Sequence, residues 1–368
     1  MSRSHLSKLL VVLLLLLGFS LFRGDSWDNI KLRSVPYWSY FTLRNNPLLT
    51  GSDADLHAST RDAAASRIDL AQLLSGGPPK DGIPSIDSPR FDSRESTPFP
   101  DDELILGVVV NGEAKAYPYG ILNWHEIVND TVGGLPITVT YCPLCDTGII
   151  FERVVNGRAT TFGVSGKLYQ SCLVMYDRLT DSLWSQPWGT GVVGAETNSV
   201  LRRIPTYKTT LGAWLKGHPE SKILSTETGY SRNYFRYPYG DYFTESTLIF
   251  PVRNVGKGQG HLKAIYYIVW AADSGTPFNS FSGRSSAFSL KEVEAGGIVN
   301  GSFSSATVTA MVDESTGAVR VFETTGDVAS VKRGSVLYQN GEEVGLDNLR
   351  EIPTTSSFAF VYPAFFME

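Results

Sequence analysis

The chain has 368 residues, a length that allows about two domains and a sizeable hydrophobic core. Hydrophobic residues make up 42% and charged residues 19%, a globular composition that excludes a disordered, collagen-like or coiled-coil chain. Lys and Arg number 32 and Asp and Glu 37, so the net charge of −5 excludes a general nucleic-acid binder, which needs a basic surplus.

Residues 1–23 have the pattern of a targeting segment. Arg3 and Lys8 precede an unbroken apolar run, LLVVLLLLL, and the apolar stretch continues to Phe22. A membrane-spanning helix needs about 20 apolar residues, so this shorter stretch predicts a signal peptide or an uncleaved signal-anchor. We expect the membrane to be a partner through this segment and the bulk of the chain to be extracytoplasmic, or secreted or periplasmic after cleavage.

Residues 24–100 are predicted to be an extended and helical N-terminal segment. Ala63 to Leu74 has helical spacing and predicts a short helix. The following stretch, SGGPPKDGIPSID from Ser75 to Asp87, contains Gly-Gly-Pro-Pro and Gly-Ile-Pro steps. Because proline and glycine prevent regular structure, it predicts an ordered loop or an extended segment.

Residues 101–250 are predicted to form the main β domain. Asn111–Gly112 stands between two apolar runs, which is typical of a hairpin turn. Pro136–Tyr141 (PITVTY) predicts a strand, and Gly148 opens another after a short turn. Glycine (35 residues) and proline (19) are frequent enough to supply the many turns of a meander of short strands.

A possible internal repeat links this domain to residues 251–368. Ala116–Glu152 and Ala287–Glu323 are equally long and share IVN, TVT, TG and a final Phe-Glu in the same order. We therefore predict a mainly β fold, an α+β arrangement with few short helices, built as two similar β-meander or barrel-like modules behind the N-terminal apolar anchor. The second window contains no Cys or His, so chemistry is expected in the first copy.

The chain has only three cysteines, and two of them form the motif Cys142-Pro-Leu-Cys145. Two thiolates from one tight turn can bind a single metal ion. His125, 17 residues before Cys142, is the candidate imidazole ligand, and Met175 or Cys172 is a candidate fourth ligand. Soft sulfur ligands with one imidazole favour copper or zinc over magnesium or calcium, so a soft-metal site is the leading prediction.

Two alternatives remain open for the same cysteines. In a thiol–disulfide oxidoreductase, Cys142 would attack and Cys145 would resolve, but a strand follows the motif instead of the helix that lowers a thiol pKa. In a non-enzymatic binding module, Cys142 and Cys145 would form a disulfide that only stabilises a loop. Such structural disulfides are common in exported proteins. The sequence identifies no small-molecule or protein partner.

Several segments, taken together, resemble the domain-of-unknown-function 3179 family. The resemblance covers about residues 75 to 250 well and the C-terminal part more loosely. The motifs that carry it occur in this order along the chain: SGGPPKDGIP (75–84), GEAKAYP (112–118), WHEIVND (124–130), VTYCPLC (139–145), TFGVSGKLY (161–169), MYDR (175–178) and SLWSQ (182–186).

The resemblance implies a mainly bacterial and archaeal group that often has an N-terminal export signal and has no settled activity. It implies counterparts of His125, Cys142 and Cys145 in relatives. It implies Asp or Asn at position 172, so Cys172 is a departure and is in doubt as an essential ligand. Two cysteines and one histidine with a fourth position open resemble a reactive metal site more than a closed structural one.

Overall fold

The computed structural model of the chain describes residues 66–256, 261–271, 284–332 and 334–367. The anchor predicted for residues 1–23 lies outside this part, as does the beginning of the predicted segment 24–100. In the part that is described, no helix has the length and apolar character needed to cross a membrane. The described residues other than Gly229–Arg232 belong to one compact unit.

Strands dominate the described chain and helices are few and short, which confirms the predicted mainly β class. In chain order, the strands are β1 (Leu74–Ser75), β2 (Phe91–Asp92), β3 (Leu104–Val110), β4 (Glu113–Pro118), β5 (Ile127–Val132), β6 (Leu135–Cys142), β7 (Thr147–Glu152), β8 (Val154–Val155), β9 (Arg158–Ala159), β10 (Phe162–Tyr169), β11 (Cys172–Asp177), β12 (Leu183–Ser185), β13 (Thr190–Val193), β14 (Arg203–Ile204), β15 (Tyr207–Thr210), β16 (Lys222–Leu224), β17 (Ile265–Trp270), β18 (Ser285–Ser289), β19 (Ile298–Phe303), β20 (Ala306–Val312), β21 (Val319–Thr324), β22 (Val328–Lys332), β23 (Ser335–Tyr338), β24 (Glu343–Gly345), β25 (Arg350–Glu351) and β26 (Thr355–Phe358). The α-helices are α1 (Tyr119–His125), α2 (Leu211–Gly217), α3 (Leu290–Gly296) and α4 (Val361–Phe366).

The predicted helix over residues 63–74 is replaced, in its described part, by the single 3-10 turn Leu70–Gln72. Asp69 caps this turn through its side chain. On both sides of the turn the backbone pairs with strands, since Ser66 bridges to Val193 and β1 pairs with β10. Strand pairing on either side therefore overrides the local helical spacing.

Two runs of elements repeat each other, as the sequence predicts. The first module consists of β3, β4, α1, β5, β6, β7, β14 and β15, and the second of β17, β18, α3, β19, β20, β21, β25 and β26. The sheet order β14-β7-β6-β5 matches β25-β21-β20-β19, and β15-β3-β4 matches β26-β17-β18. The sheets of the described residues are open, so these modules are meanders and not closed barrels.

Each module holds an inserted sheet through one asparagine of its shared IVN sequence. Asn129 on β5 donates its amide to the carbonyl of Phe162 (2.8 Å) and accepts from the Phe162 amide (2.9 Å). Asn300 on β19 contacts Val328 in the same way, at 2.9 and 3.0 Å. Phe162 begins β10 and Val328 begins β22, so each asparagine fixes the first strand of an insertion.

Asn129→Ala should lower the free energy of unfolding by about 2 kcal/mol, because the backbone groups of Phe162 lose their partners in a buried place. Asn300→Ala should cost about 1 kcal/mol, since Asn300 is only half-buried. Urea denaturation of both variants and the wild type measures the difference. Equal costs, or a negligible cost for Asn129→Ala, would contradict this account of the two insertions.

The last strand of each module packs against a hairpin of the other module, the β6–β7 hairpin in the first and the β20–β21 hairpin in the second. From β26, the amide of Phe358 donates to the carbonyl of Cys145 (2.8 Å), and the Thr355 hydroxyl donates to the carbonyl of Gly148 (2.9 Å). From β15, the Thr209 hydroxyl donates to the carbonyl of Thr316 at 2.6 Å. The turn that carries the first two cysteines is therefore covered by a strand of the second module.

Candidate thiol site

The motif Cys142-Pro-Leu-Cys145 forms the tight turn between β6 and β7. The amide of Cys145 donates to the carbonyl of Cys142 at 3.2 Å, and Cys142 is the ladder partner of Thr147. The chain then continues as strand β7 and not as a helix, as the sequence predicts. No helix N-terminus therefore follows this motif to stabilise a thiolate.

All three cysteines are free and buried, and they lie in one cluster. The Cys145 thiol interacts with the thiols of both Cys142 and Cys172, the first residue of β11. The hydroxyl of Thr147 also contacts the Cys145 sulfur, at 3.0 Å. Cys145 is therefore the central thiol of the three.

Burial controls the ionisation of these thiols. It raises the pKa of Cys142 and of Cys145 well above the ordinary thiol range, and it raises the pKa of Cys172 to about 11. A thiolate is the reactive form of cysteine both as a nucleophile and as a metal ligand. Any chemistry at this cluster must therefore remove a thiol proton.

Glu126 is a buried carboxyl beside the thiols. It ends α1 with a backbone φ of 57°, while the equivalent residue after α3 is Gly297, with φ 74°. Burial raises the pKa of Glu126 to about 7, and the hydroxyl of Tyr239, 3.2 Å from Oε1, lowers it in part. The charge of this carboxyl in turn raises the pKa of Cys142.

Asp146, directly after Cys145, is a second buried carboxylate at a left-handed position. Its φ is 50°, and the equivalent residue of the second module is Gly317, with φ 67°. The carboxylate pairs with Lys208 of β15 and accepts a hydrogen bond from the Tyr141 hydroxyl at 3.1 Å. At both positions the first module places an acidic residue where glycine is unstrained, and such strain is commonest at functional sites.

Of the predicted metal ligands, the structure gathers the three cysteines. Both ring nitrogens of His125 contact oxygen atoms: Nδ1 the carbonyl of Pro84 (2.7 Å) and Nε2 the hydroxyl of Tyr234 (2.8 Å). Met175 lies three residues after Cys172 on the same strand, so the two side chains point to opposite faces. Among the described residues, no group of three or more His, Cys, Asp or Glu could hold a metal ion, and metal binding stays a prediction.

The aromatic run from Tyr230 to Phe243 contributes two tyrosines to the site. Tyr239 reaches Glu126, and the hydroxyl of Tyr242 donates to the carbonyl of Leu144 at 2.7 Å. Lys263 lies over the Tyr242 ring, 3.4 Å from its centroid, and burial lowers the pKa of this lysine to about 8. Sequence reasoning missed these residues, although matching the repeat position by position would have set Glu126 against a glycine.

The comparisons with known proteins identify one family. The family model described as "Protein of unknown function (DUF3179)" matches residues 80–368. Neither a curated protein nor a solved structure matches the chain.

Proposed function

Since the chain belongs to the DUF3179 family, whose description gives no function, we propose from the site alone that it is a thiol–disulfide redox protein. Cys142 and Cys145 are the redox pair. The observation that carries this proposal is that the two unbridged cysteines stand at the ends of one tight turn, closed by the Cys145 amide on the Cys142 carbonyl at 3.2 Å. Neighbouring cysteines in a tight turn can form a disulfide with little movement of the backbone.

The reaction is an exchange with a partner disulfide. The sulfurs of Cys142 and Cys145 form a bond, the partner's sulfur–sulfur bond breaks, and the partner receives the two electrons and the two thiol protons. The reverse reaction reduces the pair again. Glu126 supports this proposal, because a carboxyl with a pKa of about 7 can take up a proton from the neighbouring Cys142 near neutral pH.

Soft-metal binding is the second candidate. The observation that favours it is that Cys142 and Cys172 both neighbour Cys145, since thiols select copper(I) or zinc. The three side chains would have to move to hold an ion, because no such group is formed among the described residues. Binding would release thiol protons in a buried place, and His125 would have to give up Pro84 or Tyr234 in order to join. Copper or zinc bound by Cys142, Cys145 and His125, with Met175 or Cys172, therefore remains the alternative proposal.

The proposed location agrees with disulfide chemistry. Attachment to the membrane through residues 1–23, with the bulk of the chain extracytoplasmic, would place the thiols in an oxidising compartment. Disulfides form and persist in such compartments.

Thiol counting in glutathione buffers of graded ratio tests the proposal. The full-length chain, purified without added metal, should lose two of its three thiols in the oxidising buffers and regain them in the reducing ones. Cys142→Ser and Cys172→Ser are the paired variants, and only Cys172→Ser should keep a Cys142–Cys145 bridge.

Elemental analysis of the same preparation separates the two candidates. One copper or zinc per chain, lost in Cys142→Ser and in His125→Ala, would replace the redox proposal by the metal proposal. Three thiols that stay reduced in every buffer would reject the redox proposal.

A further inference from the structure

We propose that Cys145 is shared between two alternative disulfides, Cys142–Cys145 and Cys145–Cys172, and that Cys172 is the thiol that releases Cys142. This inference deepens the proposed function and rests on it. It assigns a function to Cys172, the cysteine that is not part of the proposed redox pair.

The order of the three thiols supports the exchange. The three free cysteines lie in one buried cluster, and the Cys145 thiol interacts with both of the others. Thiol–disulfide exchange passes through a species in which attacking, central and leaving sulfurs are in contact. The hydrogen bond from Thr147 to the Cys145 sulfur holds the central atom without occupying either neighbour.

The hairpin turn that precedes Cys172 has a strained backbone. Gln170 and Ser171 connect β10 to β11, and both have left-handed backbones, with φ values of 48° and 63°. Two-residue hairpin turns of this kind favour Asn-Gly, because side chains of most other residues strain them. A strained turn persists only where its surroundings hold it, and such turns cluster at functional sites.

The surroundings of that hairpin are specific. The Gln170 side chain accepts a hydrogen bond from the Arg253 amide (2.8 Å) and donates one to the side chain of Gln72 (3.0 Å). The amide of Gln186 donates to the carbonyl of Leu173, the residue after Cys172, at 3.1 Å. Cys172 is thus fixed by three other parts of the chain while its thiol faces Cys145.

The exchange balances without an added oxidant. The Cys172 sulfur gives up its proton and attacks the Cys145 sulfur of a Cys142–Cys145 bridge. The bond from Cys145 to Cys142 breaks, Cys142 keeps the electron pair, and it takes up a proton in place of the one that Cys172 lost. The oxidised chain then has its bridge at Cys172 of β11, and Cys142 is a free thiol again.

Disulfide mapping of the oxidised full-length chain tests this inference. The chain is oxidised with glutathione disulfide, quenched in acid, alkylated under denaturing conditions and digested, and bridged peptides are identified by mass spectrometry. Wild type should contain both bridges, and its Cys142 should be alkylated several-fold more than Cys142 of oxidised Cys172→Ser. Cys142→Ser should form only the Cys145–Cys172 bridge.

A second pair of variants keeps the test decisive. Cys172→Ala serves beside Cys172→Ser, and urea denaturation of each shows that it folds. Cys145→Ser should form no bridge, because Cys145 is the shared sulfur, and a Cys142–Cys172 bridge formed as fast as the wild-type bridges would overturn the inference. Only Cys142–Cys145 in wild type would overturn the exchange alone, whereas no bridge at all would reject the proposed function itself.

Discussion

Lys208→Met should lower the free energy of unfolding by about 3–5 kcal/mol, because it leaves the Asp146 carboxylate charged and buried without its partner. The side chain of Asp146 is 0% exposed and that of Lys208 11%, so water cannot replace the lost ammonium. Urea denaturation at neutral pH measures the effect. The remaining hydrogen bond from Tyr141 is too weak to offset the loss.

Two further variants identify the cause of that cost. Lys208→Met combined with Asp146→Asn should recover most of the lost stability, since no charge is left buried and asparagine tolerates the left-handed backbone. Lys80→Met removes the partner of Asp181 at the surface and should cost less than about 1 kcal/mol. If Lys208→Met and Lys80→Met cost the same, the pair between Lys208 and Asp146 does not act as a buried pair.

Glu126→Gln should remove a fall in stability that the wild type shows between about pH 4.5 and pH 7. The folded chain raises the pKa of Glu126 from 4.5 to about 7, so the folded state disfavours the charged carboxylate. The stability linked to this group is complete below the unfolded pKa and is lost as pH rises through the folded pKa. A shift of this size corresponds to about 3 kcal/mol.

Urea denaturation at pH 4 and at pH 8 checks this prediction. The difference in stability between Glu126→Gln and the wild type should move by about 3 kcal/mol in favour of the variant from the first pH to the second. Glu126→Gly should show the same flattened profile, whereas Glu292→Gln, on the exposed side of α3, should leave the profile unchanged. A profile that Glu126→Gln does not alter would mean that the carboxyl titrates normally.

Much of the architecture follows from local sequence signals. The turn at Asn111–Gly112 joins β3 to β4 because asparagine and glycine accept left-handed backbones, with φ values of 49° and 81°. The shared IVN and TVT words predict the two modules because they lie on equivalent strands, where each asparagine holds an inserted sheet. The signals that predict the fold class can therefore be recognised within single turns and strands.

The site depends on contacts that the sequence pattern does not encode. Cys172 meets Cys145 only because β11 belongs to a sheet inserted after β7, and Tyr239 reaches Glu126 from a segment more than a hundred residues away. Met175 and Cys172 lie on one apolar stretch of the sequence, but strand alternation separates their side chains. Such pairings need the tertiary structure, since short-range periodicity fixes only the face of each element.

Strands β15 and β26 each pack against the turn of the other module, as two subunits of a dimer would. Here, however, the two modules belong to one chain and can differ in sequence. In a symmetric dimer of identical chains, both turns would carry the same residues, because one coding sequence specifies both. Two copies in one chain escape that restriction: the first turn carries cysteines, and the second carries Asp313 in an ion pair with Arg320. The second half thus has no cysteine at its own turn, and its strand β26 covers the turn of the first half that has two. Under the redox chemistry proposed above, each chain would therefore accept one pair of electrons.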